Sequence, residues 1–193
     1  MFSPLIHRLQ ELRPHADIAT ISRRWLQLAP ASLAGHLPAL GSVLYEPVQP
    51  GGAATWELPH GLLVESMQLV PLLQGKRLAS VSTITVEGPR EWIECVDGDD
   101  HLRARLHLLP DTDYLAWDAL LDCAEPASPP ASTRWSHACP VVGAQLLHFH
   151  MHRLAGLDVL GGEAVVRVSP LSRQLAGQIV RAETLAWRPA ASG

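Results

Sequence analysis

Apolar and polar residues alternate most strictly between Glu91 and Leu108. Trp92 is opposed to Glu91 and Ile93 to Glu94, and then Leu102, Ala104, Leu106 and Leu108 share one face. His101, Arg103, Arg105 and His107 fall on the other face. Period two of this kind predicts two half-buried strands. Asp97-Gly98-Asp99-Asp100 between them has turn chemistry, because Gly takes positive φ freely and Asp hydrogen-bonds its own backbone. The stretch therefore reads as a β-hairpin. A short amphipathic helix follows, with Asp111 as its N-cap and Leu115, Trp117, Ala119 and Leu121 as its apolar residues.

The flanking segments fill out an α+β domain. Ser3-Pro4 opens a helix with Leu5, Leu9 and Leu12 on one stripe, and Ile18, Ile21, Trp25 and Leu28 predict a second helix from Asp17. A third helical turn falls at Ser32 to Leu37. From Gly41 the period changes to two, and strands are predicted over Gly41 to Tyr45, Ala53 to Leu58, Leu62 to Val70 and Leu78 to Val86. Ala124 to Thr133 is a Pro-rich linker, since Pro126, Pro129 and Pro130 deny it ladder hydrogen bonds. Val141 to Leu154 then predicts a helix ended by Gly156, Glu163 to Val168 a strand, and Ser169-Pro170 the start of a last helix. Thr184 to Trp187 reads either as the end of that helix or as a terminal strand. The expectation is one α+β domain over residues 1–193. It comprises a helical lead-in (1–40), an antiparallel sheet of five or more strands plus a helix (41–122), the linker (124–133) and a helical C-terminal third (134–193).

Composition narrows the function classes. With 193 residues, 47% hydrophobic and 18% charged, the chain can bury a sizeable core. A net charge of −4 argues against a general nucleic-acid binder. No window approaches the ~20 apolar residues of a membrane-spanning helix, so membrane insertion is not expected. Cys95, Cys123 and Cys139 have no metal-like spacing and read as reduced thiols, which points to a cytoplasmic protein. Phosphate-binding loops, a Gly-x-Ser-x-Gly elbow and a Cys-x-x-Cys pair are all missing from the sequence.

The hairpin on an Asp-Gly turn, its basic second strand and the helix containing Ala116-Trp117-Asp118-Ala119-Leu120 resemble the haem-utilisation proteins of the HemS/HmuS and ChuX/HutX type. Upstream, Leu40-Gly41-Ser42-Val43 and Trp56-Glu57-Leu58-Pro59-His60-Gly61 are similar to that family's Leu-Gly-x-Val strand and His-Glu-x-x-Gly hairpin. The resemblance covers residues 36 to 122. It implies a cytoplasmic haem-binding or haem-trafficking protein that holds haem, or another flat apolar ligand, in an apolar cleft with a His axial ligand. Haem degradation is the other activity it implies. A non-catalytic interaction module that keeps the fold without haem, as a homodimer, is the alternative. In two-repeat members the iron ligand is a His in an Asp-Thr-His-x-Phe-Phe-like stretch after a Trp. Counted from Trp135 that position falls on Val142, and a gap of about six residues brings His148-Phe149 into register.

The candidate ligands follow. On the predicted helix His148 and His152 share a face, four residues apart, while His150 points elsewhere. That pair suits a transition metal, one of the two suits an axial haem position, and an amphipathic helix with surface and core histidines is the plain reading. His60 is the second axial candidate, or an exposed turn histidine. Arg103 and Arg105 would pair with haem propionates if their face lines a cleft, and otherwise lie on a solvated sheet face.

Overall fold

A computed structural model of the chain describes residues 21–48, 58–130 and 143–186. In chain order the elements are β1 (Ser22–Gln27), α1 (Pro30–His36) continued by a 3-10 turn (Leu37–Leu40), β2 (Ser42–Pro47), β3 (Leu62–Val64), a 3-10 turn (Met67–Leu69), α2 (Val70–Leu73), β4 (Arg77–Thr85), β5 (Gly88–Val96), β6 (Leu102–His107), α3 (Tyr114–Asp122), β7 (Glu125–Pro126), β8 (Gln145–Leu154), β9 (Leu157–Ala164) and α4 (Pro170–Ala186). The strands form one nine-stranded sheet in the order β3-β9-β8-β2-β6-β5-β4-β1-β7. All neighbours are antiparallel except β3 and β9. The architecture is α+β, with a mixed sheet larger than the pattern predicts.

Register assigns the two faces of the sheet. Tyr45 pairs with Leu106, Leu106 with Ile93, and Val43 with Leu147, so these side chains point the same way. They join Leu26, Leu78, Cys95 and Phe149 in one buried cluster with Leu33, Leu37, Leu40, Leu72, Trp117 and Leu120. Helices α1, α2 and α3 therefore cover this face, and the main core lies beneath them. The opposite face is polar at its centre: Glu46 pairs with Arg105, Arg105 with Glu94 and His107 with Trp92. Helix α4 closes part of that side, packing Ala176 and Ile179 against Leu44 and Leu109.

The central hairpin forms as predicted, and its turn is organised by one side chain. Asp97 Oδ1 accepts the backbone N–H groups of Asp99 and His101, each at 2.9 Å, and Oδ2 accepts from Arg103 Nε at 2.6 Å. The positive φ falls on Asp100 (66°), an Asx-type residue that tolerates it, rather than on Gly98. Burial would raise the Asp97 carboxyl, but the His101, Arg103 and Asp99 hydrogen bonds outweigh it and hold the group below its ordinary range. Asp113, two residues beyond the predicted cap, caps α3 by accepting from Ala116 N at 3.0 Å. Asp111 instead accepts from Ser169 N at 2.6 Å and its own N–H donates to Ser172 Oγ at 3.1 Å, which ties the hairpin exit to α4.

Other expectations are corrected. Residues 22–27 are strand, not helix, because pairing with β4 overrides the helical spacing of Trp25 and Leu28. Only Leu62–Val64 of the 62–70 stretch is strand; Ser66 caps a turn and Val70–Leu73 is helical. Within the linker, Glu125–Pro126 pairs with the sheet edge at β1. The C-terminal third is mixed rather than helical: Gln145–Leu154 is the longest strand, Leu157–Ala164 returns beside it, and the strand expected over Glu163 to Val168 belongs to this return only as far as Ala164. The last helix does begin at Pro170 and continues to Ala186. The expected helix over 3–13, the strand over 53–57, Trp135, Cys139 and residues 131–133 of the linker lie outside the described residues.

Candidate functional site

A cleft of about 380 Å³ lies between the end of the β4-β5-β6 face and α4. Trp92, His107, Leu108, Ile179 and Ala182 give it an apolar and aromatic lining, with Thr83, Thr85, Glu87, Arg90, Glu91 and Gln178 as polar groups in its wall. A second cavity of about 680 Å³ shares Thr83, Arg90, Glu91, Leu108 and Gln178 with it and extends toward Tyr114 and Leu171. These sizes lie in the range of small-molecule sites, which are mostly apolar with a few placed polar groups.

Two of those polar groups are not internally satisfied. Arg90 donates through Nη2 to Glu87 Oε2 at 2.5 Å and to Gln178 Oε1 at 3.0 Å, while Arg90 Nη1 and Thr83 Oγ1 are buried with no hydrogen-bond partner among the described residues. A buried donor without a partner costs roughly 1–3 kcal/mol, so such a pair is a standing demand for an acceptor. The His107 ring lies 6.0 Å from Trp92, centroid to centroid, and its Nε2 is 3.1 Å from Glu46 Oε2.

Glu46 anchors a buried charge network. It is 0% exposed, Glu94 2% and His107 5%. Arg105 reaches Glu46 at 3.8 Å and Glu94 at 3.6 Å, Arg23 reaches Glu94 at 3.1 Å, and Trp92 Nε1 donates to Glu94 Oε1 at 3.1 Å. Burial pushes the Glu46 carboxyl up, yet the His107 hydrogen bond, the charge of His107 and Arg105 together bring it below its ordinary value. On the core side, burial pushes the Cys95 thiol up to about 12, with Glu94 adding to it, so this cysteine is inert.

The residues singled out from sequence are distributed differently. Arg103 is engaged with Asp97 and Arg105 with Glu46 and Glu94; neither lines the cleft. His60 is exposed in the turn before β3. His148 is exposed on β8, between Ser42 of β2 and Glu163 of β9. Because β8 is a strand, His148 and His152 share a face but stand about 13 Å apart along it, too far for one ion. The helical spacing that would bring them together is absent.

The strand instead unites His150 with His152. Their rings stack at 6.1 Å with 20° between planes, and both face Glu65, the residue after β3. His150 Nε2 is 3.1 Å from Glu65 Oε2, and His152 Nδ1 is 3.4 Å from Oε1. All three side chains are partly open to solvent.

No family model matches the sequence, and no curated protein matches it. Among solved structures, the heme degrading enzyme ChuS of Escherichia coli O157:H7 is similar at 16% identity with a TM-score of 0.41, over 60% of this chain and 40% of that one. Holo-PhuS, a heme-binding protein from Pseudomonas aeruginosa, is similar at 18% identity with a TM-score of 0.38, over 57% and 40%. The chain spans less than half the length of either protein.

His107, Arg90, Thr83 and Glu46 were not reachable as a site from sequence order, since Glu46 and His107 are 61 residues apart and Arg90 meets Gln178 across 88. His150 was reachable. The alternation of Leu147, Phe149 and Met151 with His148, His150 and His152 is a strand signature that places all three imidazoles on one face.

Proposed function

We propose that the chain binds haem, or another flat apolar ring bearing carboxylates, in the cleft between the sheet and α4, and carries it without reacting it. The observation that supports this most is the pair of buried polar atoms without partners, Arg90 Nη1 and Thr83 Oγ1, in a wall that also carries Trp92, Leu108 and Ile179, with Glu87 and Glu91 at its polar side. A ring carboxylate would meet the guanidinium and hydroxyl there, and the macrocycle would lie against Trp92 and Ile179. His107 is the imidazole that lines this cleft, and Glu46 behind it would fix its tautomer and ring orientation as an iron ligand. The resemblance of residues 36 to 122 to the haem-utilisation family points the same way. A cytoplasmic trafficking role fits it.

Haem titration of the full chain tests the reading. A shifted Soret band is expected with the wild type, weakened in Arg90→Gln and altered in His107→Ala. His148→Ala and His60→Ala, which change exposed histidines outside the cleft, should leave it as it is. An absent Soret shift, or one that only His148→Ala or His60→Ala removes, overturns the assignment of the cleft.

A further inference from the structure

We propose that Glu65, His150 and His152 form a binding site for a divalent transition metal of the zinc class, separate from the cleft. One ligand atom from each residue lies within 4.8 Å of the others. Imidazole nitrogen and carboxylate oxygen are the donors that borderline ions such as zinc, nickel and copper prefer. Zinc bonds of about 2.0–2.2 Å at the tetrahedral angle put ligand atoms about 3.3–3.6 Å apart. From one carboxylate oxygen, Glu65 Oε1, His150 Nε2 lies at 3.2 Å and His152 Nδ1 at 3.4 Å, close to that edge length. Three protein ligands would leave the fourth position to water.

The backbone around the cluster is arranged for this approach. Glu65 is fixed at the end of the parallel β3-β9 pair by its N–H, which donates to Leu160 O at 3.0 Å. Gly161 stands directly opposite His150 across β8 and β9. A Cβ at Gly161 would overlap both the His150 imidazole and the Glu65 carboxylate, so the two groups meet only because residue 161 has no side chain. A simple ion pair between one histidine and a surface glutamate requires neither a second stacked imidazole nor that vacancy. The Asp97-Asp99-His101 group is equally compact, but Asp97 already accepts two backbone N–H groups and Arg103, which leaves its oxygens committed to the turn.

The test uses the full chain, stripped with a chelator, without haem. Zinc is titrated by calorimetry and cobalt(II) by its visible d–d absorption. One high-affinity equivalent is expected, with d–d bands intense enough to indicate four or five ligands. His150→Ala, His152→Ala and Glu65→Gln, all at partly exposed positions, should each weaken zinc binding by at least about tenfold, which is what losing even an outer-shell partner costs. His148→Ala, on the same strand face, should not. Zinc binding by the wild type that is no tighter than by the His150→Ala/His152→Ala double variant would overturn the site, as would cobalt bands of octahedral weakness. Haem binding is read at a different wavelength and by different variants, so either proposal can fail alone.

Discussion

His107 Nε2 lies 3.1 Å from Glu46 Oε2, and both side chains are buried on the polar face of the sheet. Two depressed carboxyls, Glu46 here and Asp97 in the hairpin turn, make stability depend on pH. Glu46 has its carboxyl below the ordinary 4.5 when folded, and Asp97 is likewise held below 3.8. A depressed carboxyl contributes stability that is fully present above its unfolded value and is lost as the pH falls through its folded value. Urea midpoints should therefore be level from neutral pH down to about 5 and fall below it. Glu46→Gln should show a shallower fall than the wild type; equal slopes would mean that Glu46 is not depressed.

Arg105 and Arg153 separate buried from exposed charge. Arg105 stands between two buried carboxylates, Glu46 and Glu94, whereas Arg153 meets Asp158 at 3.0 Å in solvent. Arg105→Leu removes a cation from beside two buried anions and should cost on the order of 3–5 kcal/mol. Arg153→Ala should cost less than about 1 kcal/mol. Denaturant melts of the two variants give the comparison directly, and similar losses would argue that water reaches Glu46 and Glu94.

The same contrast explains what could be read in the chain beforehand. The hairpin from Glu91 to His107 was legible because each residue's partner is nearby and the alternation is strict. β1 was not, because Trp25 and Leu28 also fit a helical stripe and only the pairing with β4, more than fifty residues on, decides between them. β8 had the right alternation from Leu147 to His152, but a helix from Val141 to Leu154, ended by Gly156, was expected there, and pairing with β2 and β9 decides for the strand. Arg103 and Arg105 were correctly placed on one strand. Their buried acidic partners come from the turn and from β2 and β5, which no local pattern shows.

Asp111 and Asp113 should divide their effects. Asp113 caps α3, so Asp113→Ala should destabilise the fold by about 1 kcal/mol with α4 unaffected. Asp111 receives Ser169 N at the head of α4, so Asp111→Ala should raise amide exchange at residues 169–173 with little effect on α3. Hydrogen exchange by mass spectrometry resolves both segments. Faster exchange in α3 for Asp111→Ala would reassign the cap.

Ala182 offers a way to close the cleft without touching its polar groups. It lines the cavity from the exposed side of α4, beyond the packed Ala176 and Ile179. Ala182→Trp puts an indole into space that a ring ligand would need, and at an exposed helical position it should shift stability by less than about 1 kcal/mol. Haem affinity should fall by about tenfold or more, a change of about 1.4 kcal/mol. His107, Glu46 and Arg90 stay in place in this variant, so lost binding with an unchanged melting temperature would report on the cleft's volume alone. Undiminished binding would locate the ring elsewhere, because a macrocycle and an indole cannot share about 380 Å³.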